Sequence, residues 1–388
     1  MEKYNVVVVG GSCAGAAAGT TLAKGGKNTL IIDKAAFPRQ KLCAGMITEK
    51  TIQLLHNIYG VSCESVIDST YHGFGVYHAR LGRVSSYCAE RHTLAMVHRD
   101  GFDHFFLQEA RKAGCSILTG DPVEGIRNGR IHTASGKEIA ADIVIGADGA
   151  YSVIGKTLPR RRRRDASVYI GLETDIAYDN LRFYSPSEVV IPWVCFGYVE
   201  KGYGWIFPKR DFATVGIAGP AKQNDKKLLG AFTSFLSDIC EGGMPSREKV
   251  RGHRVPVNNI FEEPGFNNIL LVGDAARLVE PLTGEGIYFA ALSGNLAGLA
   301  VIMNPKDPAR AYNRFLKRHV RGLFRQARFA KALYYTRWLN IYAMNKMARN
   351  AKWCKYFLAL LSGEIDYIRY FTFILKDRTV YPPMQGDM

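Results

Sequence analysis

The stretch VVVVGGSCAGAAAG, residues 6–19, decides the fold. A run of β-branched apolar residues ends at Val9, a glycine-containing turn follows, and small residues continue to Lys24. This order predicts a buried parallel strand, a tight turn and a helix, which together begin a βαβ unit of an α/β domain. Without a ligand, the same pattern would be an ordinary buried βαβ unit.

The turn matches the dinucleotide-binding sequence GxGxxG with one departure. Gly10 and Gly15 occupy the first and third glycine positions, and Ser12 stands at the second. The second glycine lets the backbone approach a pyrophosphate. We expect the small serine side chain to fit there and to donate its hydroxyl to a phosphate oxygen. The N-terminus of the following helix attracts the same anion.

A second strand, residues 29–32, ends in Asp33. A carboxylate about 20 residues beyond such a turn accepts hydrogen bonds from the ribose hydroxyls of an adenine dinucleotide. The same carboxylate repels a 2′-phosphate. The sequence therefore predicts a dinucleotide site here and disfavours NADP as its ligand.

The composition is that of a folded chain with a large positive charge. Of its 388 residues, 47% are hydrophobic and 22% are charged, and the formal net charge is +16. The length predicts two domains, or one large domain with an appendage, and the composition excludes a disordered chain. The positive balance favours anionic partners, namely phosphates, anionic lipid surfaces or nucleic acid.

The eight cysteines are dispersed, and no two lie within four residues of each other. Zinc and iron–sulfur sites need closely spaced cysteines, so we expect no metal site. The expected state is reduced thiols in a cytoplasm. Two uncharged runs, residues 4–23 and 286–305, reach the length of a membrane span. Both contain glycine and polar residues, so neither is expected to cross a membrane.

The rest of the chain alternates between helical and strand patterns. Apolar residues from Phe102 to Ala113 follow helical spacing, with Arg99 at the start of the helix. Arg99 is expected either to face a phosphate or to lie at the surface. Residues 143–145 form a predicted buried strand before a turn that contains Asp148.

Residues 166–220 have the alternation of an antiparallel sheet, with turns expected at 184–186 and 202–204. Residues 269–272 are a predicted buried strand, followed by Gly273, Asp274 and a long helix of small residues. Five arginines at 160–164 are expected to form a solvated loop or an anion-binding patch.

Three turn motifs in this order resemble one flavoprotein fold. They are the glycine turn at residues 10–15, GADG at 146–149 and the pair GD…GEGI at 273–287. The fold is shared by p-hydroxybenzoate-hydroxylase-type monooxygenases, flavin halogenases and geranylgeranyl reductases. Three further stretches are similar to the geranylgeranyl reductases in particular: FPRQKLCAG at 37–45, GYGWIFPK at 202–209 and VEPLTGEGI at 279–287. The resemblance covers roughly residues 1–305, with Ser12 and Ala44 standing where that family has glycine.

The resemblance implies FAD as the cofactor and a set of residues that contact it. These residues are Gly10, Ser12, Cys13, Ala14, Gly15, Asp33, Lys34, Lys41, Cys43, Ala44, Gly45, Arg99, Asp148, Gly273, Asp274, Gly284, Glu285, Gly286 and Ile287. It further implies a substrate pocket that contains Cys43, Tyr203 and Trp205, with Phe207 on the same strand face. Each of these has a plainer interpretation, Cys43 as a small buried side chain and the aromatic residues as core.

The resemblance implies a Rossmann-like FAD-binding domain with an inserted antiparallel β-sheet domain and a C-terminal helical region. We assign the residues as follows: FAD-binding domain, roughly 1–60, 95–160 and 262–305; inserted substrate domain, roughly 61–94 and 165–261; helical region, 306–388. From Ala309 to Gly363 there are 13 Lys or Arg residues and no Asp or Glu. This region is expected to form helices that either bind an anionic membrane surface or pack on the core. Nucleic acid is not an expected partner.

The implied activity is reduction of carbon–carbon double bonds in a geranylgeranyl or related isoprenoid chain, on a prenyl lipid or prenyl diphosphate. Reduced flavin supplies a hydride from N5, and a proton must reach the other carbon from Cys43, Tyr203 or bound water. No second nucleotide turn is present, so NAD(P)H has no stable pocket of its own. Transient NAD(P)H or a ferredoxin-like carrier is the expected electron donor, and the basic surface suits an acidic carrier. The alternatives are a flavin-dependent monooxygenase or halogenase, and a non-enzymatic flavoprotein that binds a membrane or a partner. The expected location is cytoplasmic, with peripheral contact to the membrane.

Overall fold

The computed structural model describes residues 2–88, 93–159, 168–182, 184, 190–241, 249–257, 263–336, 342, 344, 350 and 352–376. The strands in these ranges are β1 Lys3–Val9, β2 Thr29–Asp33, β3 Met46–Thr48, β4 Ile67–Tyr71, β5 Gly73–His78, β6 Gly82–Cys88, β7 Leu94–Val97, β8 Ser116–Thr119, β9 Val123–Arg127, β10 Arg130–Thr133, β11 Glu138–Gly146, β12 Tyr169–Ala177, β13 Trp193–Phe196, β14 Tyr203–Pro208, β15 Phe212–Pro220, β16 Arg251–Val255, β17 Gly265–Phe266 and β18 Ile269–Leu271.

The helices in the described ranges are α1 Cys13–Lys24, α2 Glu49–Tyr59, α3 Arg99–Lys112, α4 Ala221–Asn224, α5 Leu228–Ile239, α6 Ile287–Met303, α7 Pro308–Leu316, α8 Gly322–Tyr334, α9 Lys352–Ser362 and α10 Tyr367–Lys376. A π-helical turn, Lys317–Arg321, joins α7 to α8. None of the helices in the part of the chain described above is long and apolar enough to cross a membrane. The uncharged runs at residues 4–23 and 286–305 are instead β1 with α1, and α6.

The first sheet has eight strands, with the order β17-β18-β11-β1-β2-β8 and a hairpin of β9 and β10 attached to β11. β1 is central and pairs in parallel with both β2 and β11. Its four valines are almost completely buried, because helices cover this parallel sheet. The α/β fold class and the strand–turn–helix at residues 5–24 are therefore confirmed.

The second sheet has seven strands in the order β16-β12-β15-β14-β13-β5-β6. It is antiparallel except where β13 pairs in parallel with β5. Helix α5 packs on one face, where Phe232 and Phe235 meet Ile206, Val215 and Ile217. A cavity and the C-terminal helices lie on the other face. The third sheet is small, with the order β3-β7-β4.

The turn expected at residues 202–204 is wrong. Strand β14 begins at Tyr203, and the chain turns earlier, at Lys201, where φ is +53°. Gly202 is needed for another reason, because a Cβ atom there would lie 2.0 Å from the carbonyl oxygen of Ala218 on the neighbouring strand. Residues 185–186 of the other expected turn, and the arginines at 160–164, lie outside the described residues. The domain boundaries drawn from the sequence stay a prediction.

Helices α1 and α6 pack at backbone distance. A Cβ atom on Gly294 of α6 would lie 2.1 Å from the carbonyl oxygen of Ala14, and one on Gly298 would lie 2.8 Å from Cβ of Thr21. On the other side of α1, a Cβ on Gly19 would meet Ile31 of β2. α1 therefore lies between the parallel sheet and α6, and glycines on both contacts allow that spacing.

We predict that Gly294→Ala lowers the free energy of unfolding by about 1–3 kcal/mol, because the added methyl group forces α6 away from α1. Gly230→Ala in α5 is the matched control, since nothing lies within 4 Å of a Cβ built at Gly230. That control should be neutral or stabilising by about 0.5–1 kcal/mol, as for Ala replacing Gly in an open helix. Chemical denaturation measures both variants. Equal stability of Gly294→Ala and the wild type would contradict the packing argument.

Candidate functional site

A cavity of about 310 Å³ lies between the two large sheets. At one end it is bounded by the start of α1, the segment 41–46 and the loop 281–286 that precedes α6. At the other end it is bounded by the inner face of the seven-stranded sheet and by α8, α9 and α10. The first end is rich in glycine, backbone amides and charge. The second end is mainly aromatic and aliphatic.

The glycine turn packs too closely against its own backbone for side chains to fit at Gly10 and Gly15. Gly10 has φ of +109°, and a Cβ atom on it would lie 2.3 Å from the carbonyl oxygen of Ala147. A Cβ atom on Gly15 would lie 1.7 Å from the carbonyl oxygen of Gly10. Both glycines therefore permit the tight turn and the close approach of α1 to the strand. The N-terminus of α1 begins directly after this turn.

Ser12 replaces a glycine without backbone strain, since it caps α1 with φ of −78°. Its hydroxyl donates to Asp103 at 2.8 Å and accepts from Lys41 Nζ at 3.2 Å and from Arg99 at 3.0 Å. The hydroxyl proton is thus directed at Asp103, whereas the sequence suggested a phosphate oxygen. Ser12 joins the turn to the charged side chains around it.

Arg99 and Asp103 form a buried ion pair one turn apart on α3, with an N–O distance of 2.9 Å. Burial alone would raise the pKa of Asp103, but Arg99, Lys41 and Arg39 together hold that pKa at about 2. Arg99 is 7% exposed, which excludes the surface arginine that was one of the two expectations. Three cations surround the single Asp103 carboxylate, so this group of side chains has a net positive charge. It lies beside the N-terminus of α1, and both features favour binding of a diphosphate.

Asp33 and Asp148 bind backbone amides near the turn. The carboxylate of Asp33 accepts from the amide of Gly11 at 2.7 Å and from that of Ala35 at 2.9 Å. Asp148 accepts from the amides of Val153 and Ile154 and caps the turn that follows. Each aspartate thus fixes the backbone where it stands.

The loop 280–286 is held by side chains from three different elements. Buried Glu280 accepts from the Thr283 hydroxyl at 2.6 Å and from Tyr367 of α10 at 2.7 Å. Lys331 of α8 donates to the carbonyl oxygen of Pro281 at 2.7 Å. Tyr203 of β14 donates to the carbonyl oxygen of Thr283. The C-terminal helices therefore fix this loop directly.

Glu285 and Gly284 shape the same loop. Glu285 forms an ion pair with Lys50 at 2.7 Å and accepts from Thr48. Burial raises its pKa, and Lys50 opposes that shift. Gly284 has φ of +73°, and a Cβ atom there would lie 2.8 Å from the Tyr203 hydroxyl. Glu285 thus has a structural partner on α2.

Tyr203, Trp205 and Phe207 alternate along β14 and all face the cavity. The indole of Trp205 lies over Gly216 of β15, where a Cβ atom would be 2.2 Å from the ring. Phe74 and Val194 continue the same wall. These aromatic residues pack in a hydrophobic core and also line the cavity. Both interpretations made from the sequence, core and substrate pocket, therefore apply to the same surface.

The structure brings together most of the residues singled out from the sequence. Those that line the cavity are Ser12, Cys13, Ala14, Lys41, Cys43, Ala44, Gly45, Arg99, Tyr203, Trp205, Asp274, Gly284, Glu285, Gly286 and Ile287. Those that do not line it are Gly10, Gly15, Asp33, Lys34, Asp148 and Gly273. Gly10, Gly15 and Asp33 support the turn from behind, and Lys34 is exposed.

Several cavity residues were missed from the sequence. Glu173, Lys331 and His253 line it, and Asp103 lies beneath it. Glu173 offered the clearest signal, an acidic residue within the strand pattern YIGLETDIA. Asp103 and Lys331 lie on helices that carry several other charged residues, so neither stood out.

Residue geometry fits an FAD molecule. The pyrophosphate would lie at the glycine turn and the N-terminus of α1, close to the cations around Asp103. Asp274 would lie near the middle of the cofactor. The start of α6, which has no acidic residue in its first turn, would face the flavin and stabilise negative charge on it. The carboxylate of Asp33 retains lone pairs for ribose hydroxyls beyond its two amide bonds.

Residues 3–294 match the family model described as FAD binding domain. The chain belongs to this FAD-binding family. It is an FAD-dependent oxidoreductase, and its fold and its relatives agree with the resemblance seen in the sequence motifs.

Alignments with three relatives extend over most of this chain and most of each relative. An uncharacterized protein of Methanosarcina barkeri is 31% identical over 337 residues, which is 83% of this chain and 82% of the relative. A menaquinone reductase of Mycobacterium tuberculosis is 27% identical, covering 87% and 86%. A geranylgeranyl diphosphate reductase of Rhodobacter capsulatus is 28% identical, covering 86% and 85%.

Solved structures show the same fold. A geranylgeranyl bacteriochlorophyll reductase-like protein from Thermoplasma acidophilum superposes with a TM-score of 0.77 at 22% identity, covering 97% of each chain. The flavin-dependent brominase Bmp2 has a TM-score of 0.68 at 16% identity, covering 96% of this chain and 98% of that one. At these identities the likeness concerns the fold alone.

We predict that Asp103→Asn lowers the free energy of unfolding at pH 7 by about 3–5 kcal/mol, because Arg99 stays buried without its counter-charge. The folded-state pKa of Asp103 is about 2 and below its unfolded value. Its contribution is therefore complete above about pH 4 and is lost as the pH falls towards 2. Denaturation curves at several pH values should show the wild type and the variant converging in acid.

The control is Glu109→Gln on the same helix, since Glu109 pairs with an exposed Lys112. Exposed pairs of this kind contribute about 0–1 kcal/mol. A loss for Asp103→Asn no larger than that of the control would show that the buried pair is not stabilising.

Proposed function

We propose that the protein reduces carbon–carbon double bonds in an isoprenoid chain. The observation that carries this proposal is the continuity of the cavity, whose polar end fits a flavin cofactor and whose other end is an aromatic and aliphatic wall. An apolar chain without hydrogen-bonding groups needs such a wall. The names of the menaquinone and geranylgeranyl diphosphate reductases among the relatives support the same substrate class.

When bound and reduced, FAD supplies a hydride to the substrate. The residues of this chain provide the surroundings for that step. Phe74, Val194 and Trp205 exclude water from the chain-binding end. Tyr203 fixes the loop 280–286 through its hydrogen bond to Thr283, and thereby orients the backbone that faces the flavin.

The electron donor is part of the proposal. The glycine turn at residues 10–15 is used for FAD, so NAD(P)H would bind transiently, or an acidic ferredoxin-like carrier would dock. The net charge of +16 favours association with an acidic protein. Either donor would reduce the flavin before the isoprenoid is reduced.

We further propose that the protein is cytoplasmic and contacts the membrane surface through its basic C-terminal helices. Phe329 is 65% exposed on α8, and Arg325, one turn earlier on the same face, is also exposed. Ile368 on neighbouring α10 is 61% exposed. The same helices line the apolar end of the cavity, so a lipid substrate would enter from the side that meets the membrane.

The deciding experiment reduces the purified protein with dithionite under anaerobic conditions and adds geranylgeranyl diphosphate or a menaquinone. We expect the flavin to reoxidise and mass spectrometry of the air-oxidised products, in which any menaquinol has returned to the quinone, to show two added hydrogens per reduced isoprenoid double bond. If neither probe gains mass and the flavin stays reduced until air is admitted, the proposal is wrong. That outcome would favour the oxygen-using chemistry of a monooxygenase or halogenase. A purified protein that binds vesicles but retains no flavin would indicate a non-enzymatic role.

Membrane contact is tested by co-sedimentation with phosphatidylcholine vesicles, with and without phosphatidylserine. We expect binding only with the anionic lipid, and we expect Phe329→Ser to weaken it about tenfold through loss of apolar burial. Leu229→Ser on α5 is the matched control, because Leu229 is 40% exposed outside the C-terminal helices. Equal loss in both variants, or no binding by the wild type, would refute this surface.

A further inference from the structure

Glu173 is a buried carboxyl group at the junction of the two ends of the cavity. It is 2% exposed, yet it lines the cavity from strand β12. It lines the cavity together with Cys43, which belongs to the segment bounding the flavin end. On the sheet it is paired with Gly216, the residue over which the Trp205 indole lies. Glu173 therefore lies between the cofactor segment and the aromatic wall.

The charged neighbours of Glu173 connect it to solvent. Arg251 of β16 is 3.8 Å from its carboxylate and also forms a 2.8 Å ion pair with Asp175. The side chains of Arg251 and Asp175 are 44% and 37% exposed. Buried Lys209, at the end of β14, also acts on Glu173. The charged cluster around Glu173 therefore extends to the protein surface.

Burial raises the pKa of Glu173 to about 7, and nearby Asp175 adds to that shift. Arg251, Lys209 and the amide of Cys43 oppose the shift. A pKa near the working pH suits a general acid, because the group is both protonated and able to give up its proton.

Two other cavity groups that could donate a proton, Tyr203 and Lys331, are anchored to the loop 280–286. The Tyr203 hydroxyl donates to the carbonyl oxygen of Thr283, and burial raises its pKa well above the range of an acid near neutrality. Lys331 donates to the carbonyl oxygen of Pro281. The single Tyr203 proton is thereby committed to the loop 280–286, whereas Lys331 keeps two further protons but has its ammonium group anchored at this loop.

We propose that Glu173 is the proton donor for isoprenoid reduction, an inference that rests on the proposed function. One carbon of the double bond receives a hydride, with both its electrons, from the reduced flavin. The π electrons form the second C–H bond with the proton of Glu173 as its O–H bond breaks. The carboxylate that remains is stabilised by Arg251 and is reprotonated from solvent, while the flavin is left oxidised.

The test compares Glu173→Gln and Glu173→Asp with the wild type, using dithionite-reduced protein and geranylgeranyl diphosphate, which has no quinone that could oxidise the flavin by itself. We expect Glu173→Gln to reoxidise its flavin about 10²–10⁴-fold more slowly, the range of general acid catalysis, with unchanged FAD content. The wild-type rate should fall about tenfold per pH unit above pH 7, because the active form is protonated. This limb should disappear in Glu173→Gln and persist, at a lower rate, in Glu173→Asp.

Asp238→Asn is the matched control, since Asp238 is an exposed carboxylate on α5, on the opposite face of the sheet. It should leave the rate and the pH profile unchanged. A wild-type rate in Glu173→Gln, or an alkaline limb that survives in that variant, would refute the assignment while leaving the proposed function intact. A wild type that reduces neither geranylgeranyl diphosphate nor the isoprenoid chain of a menaquinone would refute both.

A measurement independent of turnover checks the site itself. Infrared difference spectra of the FAD-loaded protein, recorded between pH 5 and 9, should show a protonated carboxyl band that titrates near pH 7 and is absent from Glu173→Gln. If the wild-type and variant spectra are the same, Glu173 does not hold the proton.

Discussion

The close packing of α1 between the parallel sheet and α6 is the constraint on which the rest of the site depends. α1 begins at the glycine turn, and α6 begins at the loop that would face the flavin. Gly294 lets the two helices touch at the carbonyl of Ala14, so the two ends of the cofactor site are fixed relative to each other. The buried Arg99–Asp103 pair then supplies the charge beside the first end.

The inner face of the seven-stranded sheet combines two environments that proteins usually separate. Trp205 and Phe207 form an apolar wall, while Glu173 and Arg251 place ionisable groups at its edge. A fraction of the Glu173 carboxyl groups stays protonated near neutral pH, because burial disfavours the ionised form. A dry chain-binding surface and a renewable proton are thus provided by neighbouring strands of one sheet.

The sequence was sufficient for the fold and for much of the cavity lining, because both follow from local patterns. The valines of β1, the glycines at 10 and 15 and the PLTGEGI loop each depend on neighbouring residues in the chain. Glu173, Asp103 and Lys331 act through contacts with residues far away in sequence, which no spacing rule reveals. At Gly202 a local pattern was misleading. The glycine was interpreted as part of a turn, but it is required because the carbonyl of Ala218 on the adjacent strand leaves no room for a side chain.

The bonds from Tyr367 and Lys331 to the loop 280–286 have a consequence for biosynthesis. The glycine turn is synthesised first, whereas the side chains that fix the loop come from α8 and α10. A ribosome needs on the order of ten seconds to proceed from that loop to Tyr367. During this interval the glycine turn has already been synthesised, but the bonds from Tyr367 and Lys331 to the loop are not all in place. The loop 280–286 therefore gains its full set of side-chain hydrogen bonds only after α10 is complete, so the order of synthesis makes this loop one of the last parts of the fold to be fixed.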